Sequence, residues 1–216
     1  SQNYVVSYTP VIETATETAL KNLPLEEQGA VVQYFDGLGR ATQTVAANQS
    51  YYFNDMVTGV GYDSFGRQEK TYLPITNHGK GAFVTNQESA IANFYPTTTN
   101  EINGLPSLVG NRTVSQTFYE PSPLNRITSV IDPAGGTTSY LYGTNKANEI
   151  INWSVNIDHE LIRVGYYAGA QLYFTQTTDP SGKVVEEYKD KLGQVVLKRS
   201  FDGEDVFYPK THLYPY

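Results

Sequence analysis

Residues Tyr34–Val45 read YFDGLGRATQTV, and Tyr62–Leu73 repeat the outline as YDSFGRQEKTYL. Each contains an aspartate, a glycine three residues on, and an arginine directly after it. The same D-x-x-G tetrad recurs at Asp132–Gly135, Asp179–Gly182 and Asp190–Gly193, in addition to Asp36–Gly39 and Asp63–Gly66. A sixth copy, SPLNR, has Ser122 for the aspartate and Asn125 for the glycine. The residue after the tetrad is Arg40, Arg67, Arg126, Lys183 or Gln194, with Gly136 the exception.

Hairpin physics accounts for this pattern. A type I turn favours Asp, Asn or Ser at its first position, where the side chain accepts backbone N–H bonds two residues on. Proline suits the next position because its φ is already correct, and DPAG, DPSG and SPLN all place it there. The fourth residue must adopt a left-handed conformation to form the bulge that restarts the ladder. Glycine does so without strain, and asparagine is the best substitute. Ser122 and Asn125 keep that geometry while changing both end residues, so the motif reads as backbone chemistry. From Ser122 to Asp132 is 10 residues and from Asp179 to Asp190 is 11. Subtracting the turn leaves one strand of about six residues, the commonest strand length.

The strands implied are NYVVSY, AVVQYF, RATQTVA, RQEKTYL, TVSQTFYE, RITSVI, TTSYLY, INWSVNI, ELIRVGYY, QLYFTQTTD, KVVEEYK and QVVLKRSFD. INWSVNI is the clearest: Ile151, Trp153, Val155 and Ile157 alternate with Asn152, Ser154 and Asn156, which predicts one buried and one wet face. One helix is expected in TNQESAIANFY, with Thr85 or Asn86 as N-cap, Glu88 in the first turn, and Ala90, Ile91 and Phe94 as an apolar stripe. ETATETALKNL offers at most another turn or two, because its threonines disfavour helix. The expected fold is mainly β: an antiparallel meander of hairpins forming an extended curved sheet with one short helix. It is a single continuous module over residues 1–216 with an insertion at about 74–113. The 18 tyrosines and 9 phenylalanines agree with strands rather than a helical bundle.

Tyrosine-aspartate corners with trailing glycine and arginine resemble the YD repeats of bacterial RHS (rearrangement hotspot) proteins. VQYFDGLGRATQTV, GYDSFGRQEKTYLP and YEPSPLNRI, in that order, resemble the uncharacterised N-terminal domain that precedes the RHS repeats in long bacterial surface proteins. The resemblance spans roughly residues 4–205 and implies an arc of the spiralling β shell built by such repeats, which in polymorphic toxins encloses a toxic domain. It implies a secreted or cell-surface location, and the following RHS/YD repeats of the same full-length chain as partners. The aromatic, proline-rich end FYPKTHLYPY suggests a fragment of a longer protein. The family's self-cleaving aspartyl protease lies in a segment that nothing here matches. Asp132-Pro133 and Asp179-Pro180 echo its Asp-Pro motif only at turn positions.

Composition narrows the chemistry further. The net charge is −7 with no basic tract, which disfavours a nucleic-acid partner. No apolar run approaches the roughly 18 residues of a membrane helix, so no membrane insertion is expected. Without cysteine there are no disulfides, no thiolate nucleophile and no cysteine-ligated metal. His78, His159 and His212 are far apart in sequence. His159 alone adjoins carboxylates, in IDHE, and neighbours on a strand point to opposite faces, so this reads as a polar hairpin tip. No nucleophile elbow, HExxH, P-loop or EF-hand loop is present. We therefore expect no catalytic residues, no metal and no cofactor. Arg40, Arg67 and Arg126 are expected to bridge carboxylates on adjacent strands.

The tyrosines carry the rival reading. As cross-strand partners they are structural. As an exposed platform, Tyr140, Tyr142, Tyr166, Tyr167 and Tyr173 would stack on sugars, making the chain a surface carbohydrate-binding module with glycans as partners. A second rival is an enzyme, a glycosidase or a self-processing protease. The expectation adopted is a non-catalytic structural module that starts or caps a β-sheet shell.

Overall fold

The computed structural model describes residues 2–13, 16–24, 27–50, 52–95 and 113–201. His212, the segment FYPKTHLYPY and the middle of the expected 74–113 insertion lie outside the described residues. Among those described, an 11-stranded antiparallel sheet dominates. Its strands are β1 (Asn3–Pro10), β2 (Gln28–Phe35), β3 (Ala41–Ala47), β4 (Asp55–Tyr62), β5 (Gln68–Asn77), β6 (Val114–Tyr119), β7 (Ile127–Ile131), β8 (Thr137–Thr144), β11 (Tyr173–Thr178), β12 (Val184–Lys189) and β13 (Val195–Phe201). Spatial order follows chain order, as a meander requires, and the sheet does not close on itself. β9 (Ile151–Val155) and β10 (Leu161–Tyr166) form a separate two-stranded sheet inserted between β8 and β11, which pair directly.

One strand lies outside the expected set. β4 was not anticipated, because Gly59 and Gly61 thin out its side-chain alternation. ETATETALKNL forms a helix of the length allowed for it, α1 (Glu17–Lys21), its start held by Thr16, whose Oγ1 accepts from the N–H of Ala19 at 3.1 Å. The expected helix is α2 (Gln87–Phe94), but its N-cap residue Asn86 sits in the left-handed region and makes no side-chain cap bond.

The chain gathers into two compact units, Ser1–Thr117 with Ile131–Gly135, and Phe118–Val130 with Gly136–Tyr216. In the first, register aligns one residue from each of five strands into a row: Val6, Val32, Val45, Val57 and Ile75. Ile91 of α2, fully buried, packs on this row with Phe83, Val84 and Phe94 around it. The next row runs Tyr4, Tyr34, Gln43, Gly59 and Tyr72. Here the sheet makes room for the helix. A Cβ on Gly59 would lie 2.1 Å from the side-chain amide of Gln87, which accepts a bond from Gln43. Gln43 also exchanges bonds with the backbone of Val84, donating at 3.2 Å and accepting at 2.8 Å. Glu88 in the first turn of α2 accepts from the Tyr72 hydroxyl at 2.7 Å and from Lys70 at 2.9 Å.

The second unit has a smaller core: Ile150, Leu172 and Tyr188, with Tyr167, Phe174, Val196 and Leu197 against it. The β9–β10 excursion is tied at its root by the buried Asn145. Its side chain donates to the carbonyls of Lys146 and Ala168 and accepts from the N–H of Leu172 at 2.8 Å. Beyond that root, the predicted buried face of INWSVNI is not covered. Trp153 is 39 % exposed, and Val155 and Ile157 more so, because β9 pairs only with β10 and leaves the main sheet.

Each of the six tetrads is a reversal of one kind. The fourth residue, Gly39, Gly66, Asn125, Gly135, Gly182 or Gly193, has φ between 53° and 93° and donates to the carbonyl of the first residue. At Asp36, Asp63, Asp179 and Asp190 one carboxylate oxygen also accepts two backbone N–H bonds of 2.8–2.9 Å, from the third and fifth residues of the corner. Two further corners share this geometry without the signature. At Ser50–Phe53 and Asn156–His159 the left-handed residues are Phe53 (φ 55°) and His159 (φ 63°).

Replacing the left-handed residue tests the corner. No neighbour lies within 4 Å of a Cβ on Gly39, so Gly39→Val isolates backbone strain and is expected to cost about 1–3 kcal/mol. Asn125→Gly should be nearly neutral in the same urea titrations. Ile91→Ala should cost about 2–5 kcal/mol, read from the denaturation midpoint.

Candidate functional site

The corner arginines close on their own corners. Arg40 Nε donates to Asp36 Oδ2 at 2.7 Å, and Arg67 Nε donates to Asp63 Oδ2 at 2.7 Å. The SPLNR corner does the same with a different acceptor. Glu120, two residues upstream of Ser122, accepts from Arg126 Nε at 2.9 Å and Nη2 at 2.7 Å, and from the Ser122 hydroxyl at 2.6 Å. Glu120 thus supplies the carboxylate that the serine corner lacks, and sequence reading did not single it out.

Tyrosines complete the clamp. The Arg40 guanidinium lies 4.3 Å from the centre of the Tyr62 ring, and the Tyr62 hydroxyl donates to the carbonyl of Ala41 at 2.7 Å. Arg126 lies 4.7 Å from the Tyr142 ring centre, and the Tyr142 hydroxyl donates to the carbonyl of Ile127 at 2.9 Å. In both cases the tyrosine comes from the following strand and binds the residue directly after the arginine. Each ring therefore covers a guanidinium whose charge a carboxylate already neutralises.

These contacts set the titration of the carboxylates. At Asp36 the Arg40 backbone N–H and then its side chain hold the carboxyl below its usual range, against a smaller opposing effect of burial. At Asp63 burial pushes upward, and the Arg67 and Phe65 bonds together outweigh it. Glu120 is held at about 2, first by Arg126 and then by Ser122.

The five tyrosines of the sugar-platform reading do not form one surface. Ladder register puts Tyr140, Tyr142 and Tyr173 on one face of β8 and β11, among Thr144, Thr175 and Thr177. The Tyr142 ring is held there by Arg126. Tyr167 packs against the Ile150, Leu172 and Tyr188 core, and Tyr166 belongs to β10. His78 and His159 are exposed; His159 is the left-handed residue of its corner, whose Asn156 Oδ1 accepts from the N–H groups of Asp158 and Glu160. Among the described residues no group of three or more His, Asp or Glu is placed to hold a metal ion, and no helix is long and apolar enough to cross a membrane. Asp55, 1 % exposed, has a structural setting: it accepts from the backbone N–H of Asn48 at 3.1 Å and of Gly81 at 2.5 Å.

A concave site does form in the second unit, and of the sugar-platform tyrosines only Tyr167 lines it; Glu149 and Arg199, its charged members, were not among the residues that sequence reading singled out. A cavity of about 270 Å³ is lined by Glu149, Ile150, Ile151, Trp153, Tyr167, Val196, Leu197 and Arg199. Glu149 Oε1 accepts from the Tyr188 hydroxyl at 2.9 Å and from Arg199 Nη2 at 3.3 Å, while Oε2 accepts from the Lys146 N–H at 2.7 Å. Arg199 Nε donates to Glu186 at 2.5 Å, and Nη2 also donates to the Tyr188 hydroxyl at 2.9 Å. Burial pushes the Glu149 carboxyl up, but the Lys146 N–H, Tyr188 and Arg199 outweigh it and hold it below its usual value. Burial, then Glu149, pushes the Tyr188 hydroxyl upward, keeping it protonated as a donor. Fifty positions separate Glu149 from Arg199, so no local motif signals their meeting.

The acid response follows from the lowered carboxylates. A group whose folded pKa lies below its unfolded value stabilises the fold above the unfolded pKa and loses that contribution as pH falls through the folded one. For Glu120 the window runs from its ordinary 4.5 down to about 2. Glu120→Gln is expected to flatten the loss of stability across that window in thermal melts. Tyr62→Phe and Tyr142→Phe, which each remove one hydroxyl bond, should cost about 0.5–1.5 kcal/mol apiece at neutral pH.

No curated protein matches this chain in sequence. A family model does, over residues 7–139, more than half of the chain, and the chain accordingly belongs to the family described as a domain of unknown function, DUF6443.

Proposed function

We propose that the chain is a non-catalytic structural module whose task is to begin or cap a larger β-sheet assembly, as the YD-like repeats imply. The observation that carries this reading is the repeated corner clamp. The conspicuous polar residues of the motif are committed to reversing the chain: aspartates to backbone N–H groups, arginines to those carboxylates, tyrosines to both arginine and backbone. A carboxylate saturated by its own corner has little basicity left for proton transfer. Support also comes from the open strand order, with β1 and β13 as the outer strands among the described residues. An outer strand offers unpaired N–H and C=O groups on which a further strand can continue.

On this reading the following repeats of the full-length protein pair with β13, and the module belongs to an exported, surface-associated RHS-type protein. Hydrogen exchange tests it. Amides of Val195–Phe201 are compared in this chain and in a chain extended by the protein's next strands. Slower exchange confined to the outward-facing N–H groups of β13 is expected in the longer chain. Unchanged exchange throughout β13 would remove the capping role.

A further inference from the structure

We propose that the cavity between the β9–β10 hairpin and β13 binds a neutral, ring-shaped polyhydroxy ligand, a single pyranose unit of a glycan. This goes beyond the scaffold reading and does not depend on it. It also differs from the tyrosine platform, taking only Tyr167 from that set.

The lining specifies the ligand class. Trp153 and Tyr167 offer aromatic surface, and Ile150, Ile151, Val196 and Leu197 extend it, which suits the C–H face of a sugar ring. Beside this apolar wall sit the polar groups that would meet a hydroxyl rim. Glu149 presents carboxylate oxygens as acceptors, and Arg199 presents Nη1, which has no hydrogen bond among the described residues. Both side chains keep partial access to solvent, at 25 % and 19 %. Both are also fixed before any ligand arrives, Arg199 by Glu186 and Tyr188, Glu149 by Tyr188 and Lys146. Donors held in place in advance lose little freedom on binding.

Charge argues against ionic ligands. The carboxylates of Glu149 and Glu186 face Arg199, and the charge of Lys146 also acts on Glu149. An anion would meet the Glu149 carboxylate beside an arginine that Glu186 already neutralises, and a cation would compete with that arginine for Glu149. A neutral ligand with hydroxyls that both donate and accept avoids either conflict. The volume, just under the roughly 300 Å³ where pockets for drug-sized ligands begin, suits one ring rather than a chain of them.

The chain has a single tryptophan, so its fluorescence reports on this cavity alone. The whole protein is titrated with methyl α-glucopyranoside, methyl β-galactopyranoside and N-acetylglucosamine, and in parallel with glucuronate and glucosamine. A saturable change in Trp153 emission with at least one neutral sugar, with reduced acrylamide quenching at saturation, is the expected result. Arg199→Lys should weaken it by about tenfold or more, since lysine keeps the charge but loses the planar fork. Tyr140→Ala, on the other face of the sheet, should leave it unchanged. The unmodified protein decides the matter if the lysine variant does not fold. Linear responses to all three neutral sugars, tighter binding of either charged sugar, or an equal response in folded Arg199→Lys would each overturn the proposal.

Discussion

The structure depends on one backbone constraint: at each corner a residue must hold a positive φ while the strands on either side stay in register. Glycine or asparagine supplies the φ at the six tetrads. A positive φ alone permits reversal without specifying it. Specification comes from the carboxylate, which binds two N–H groups of the corner and so selects one turn from several that glycine allows. Arginine then ties that carboxylate to the start of the outgoing strand, and the next tyrosine ties the arginine to its neighbour. A local preference thereby becomes a contact between successive strands. Exposed ion pairs contribute little singly, so it is the combination with ring contact and backbone bonds that gives the corner its fixed form.

Because each clamp acts between adjacent strands, the connections at other points are free to vary. The segment after β5 carries α2 and covers the Val32, Val45, Val57 and Ile75 row, giving the first unit a core that a single sheet layer lacks. The segment between β8 and β11 forms its own hairpin, closed at the root by Asn145, and so supplies one wall of a cavity. Both excursions leave the strand order undisturbed. A sheet built from near-neighbour contacts accepts such additions much as repeat proteins do.

Much of this is visible in the sequence because turn chemistry is local. Asn125 is recognisable as a glycine equivalent since the two share tolerance of the left-handed region. Phe53 occupies that region with no such preference, and His159 lies outside the glycine-or-asparagine rule although histidine tolerates positive φ better than most residues, so both corners escape it. β4 escapes for a different reason: Gly59 serves the side chain of Gln87, a contact with a helix almost thirty residues away. Alternation in INWSVNI shows two unlike faces but not whether anything covers the apolar one. Coverage is a tertiary property, and here it stops after the root of the hairpin. The Glu149–Arg199–Tyr188 cluster is invisible for the same reason, since its members become neighbours only when the segment leading into β9 brings Glu149 to Tyr188 on β12 and Arg199 on β13.

The two kinds of arginine in this chain illustrate how environment separates structure from recognition. Arg40 and Arg126 each lie under a tyrosine ring, with their carboxylate partners belonging to the same turn. Moving either would undo a reversal, so a ligand competing for it would have to replace a carboxylate and a ring together. Arg199 is held instead by residues of two other segments, Glu149 ahead of β9 and Glu186 with Tyr188 on β12, and it borders an apolar hollow. Its orientation is fixed while one of its nitrogens stays uncommitted among the described residues, and an adjoining indole remains partly open. Rigidity with spare hydrogen-bonding capacity is what a recognition site requires. Rigidity with none left over is what a corner requires, and the same residue type meets both demands.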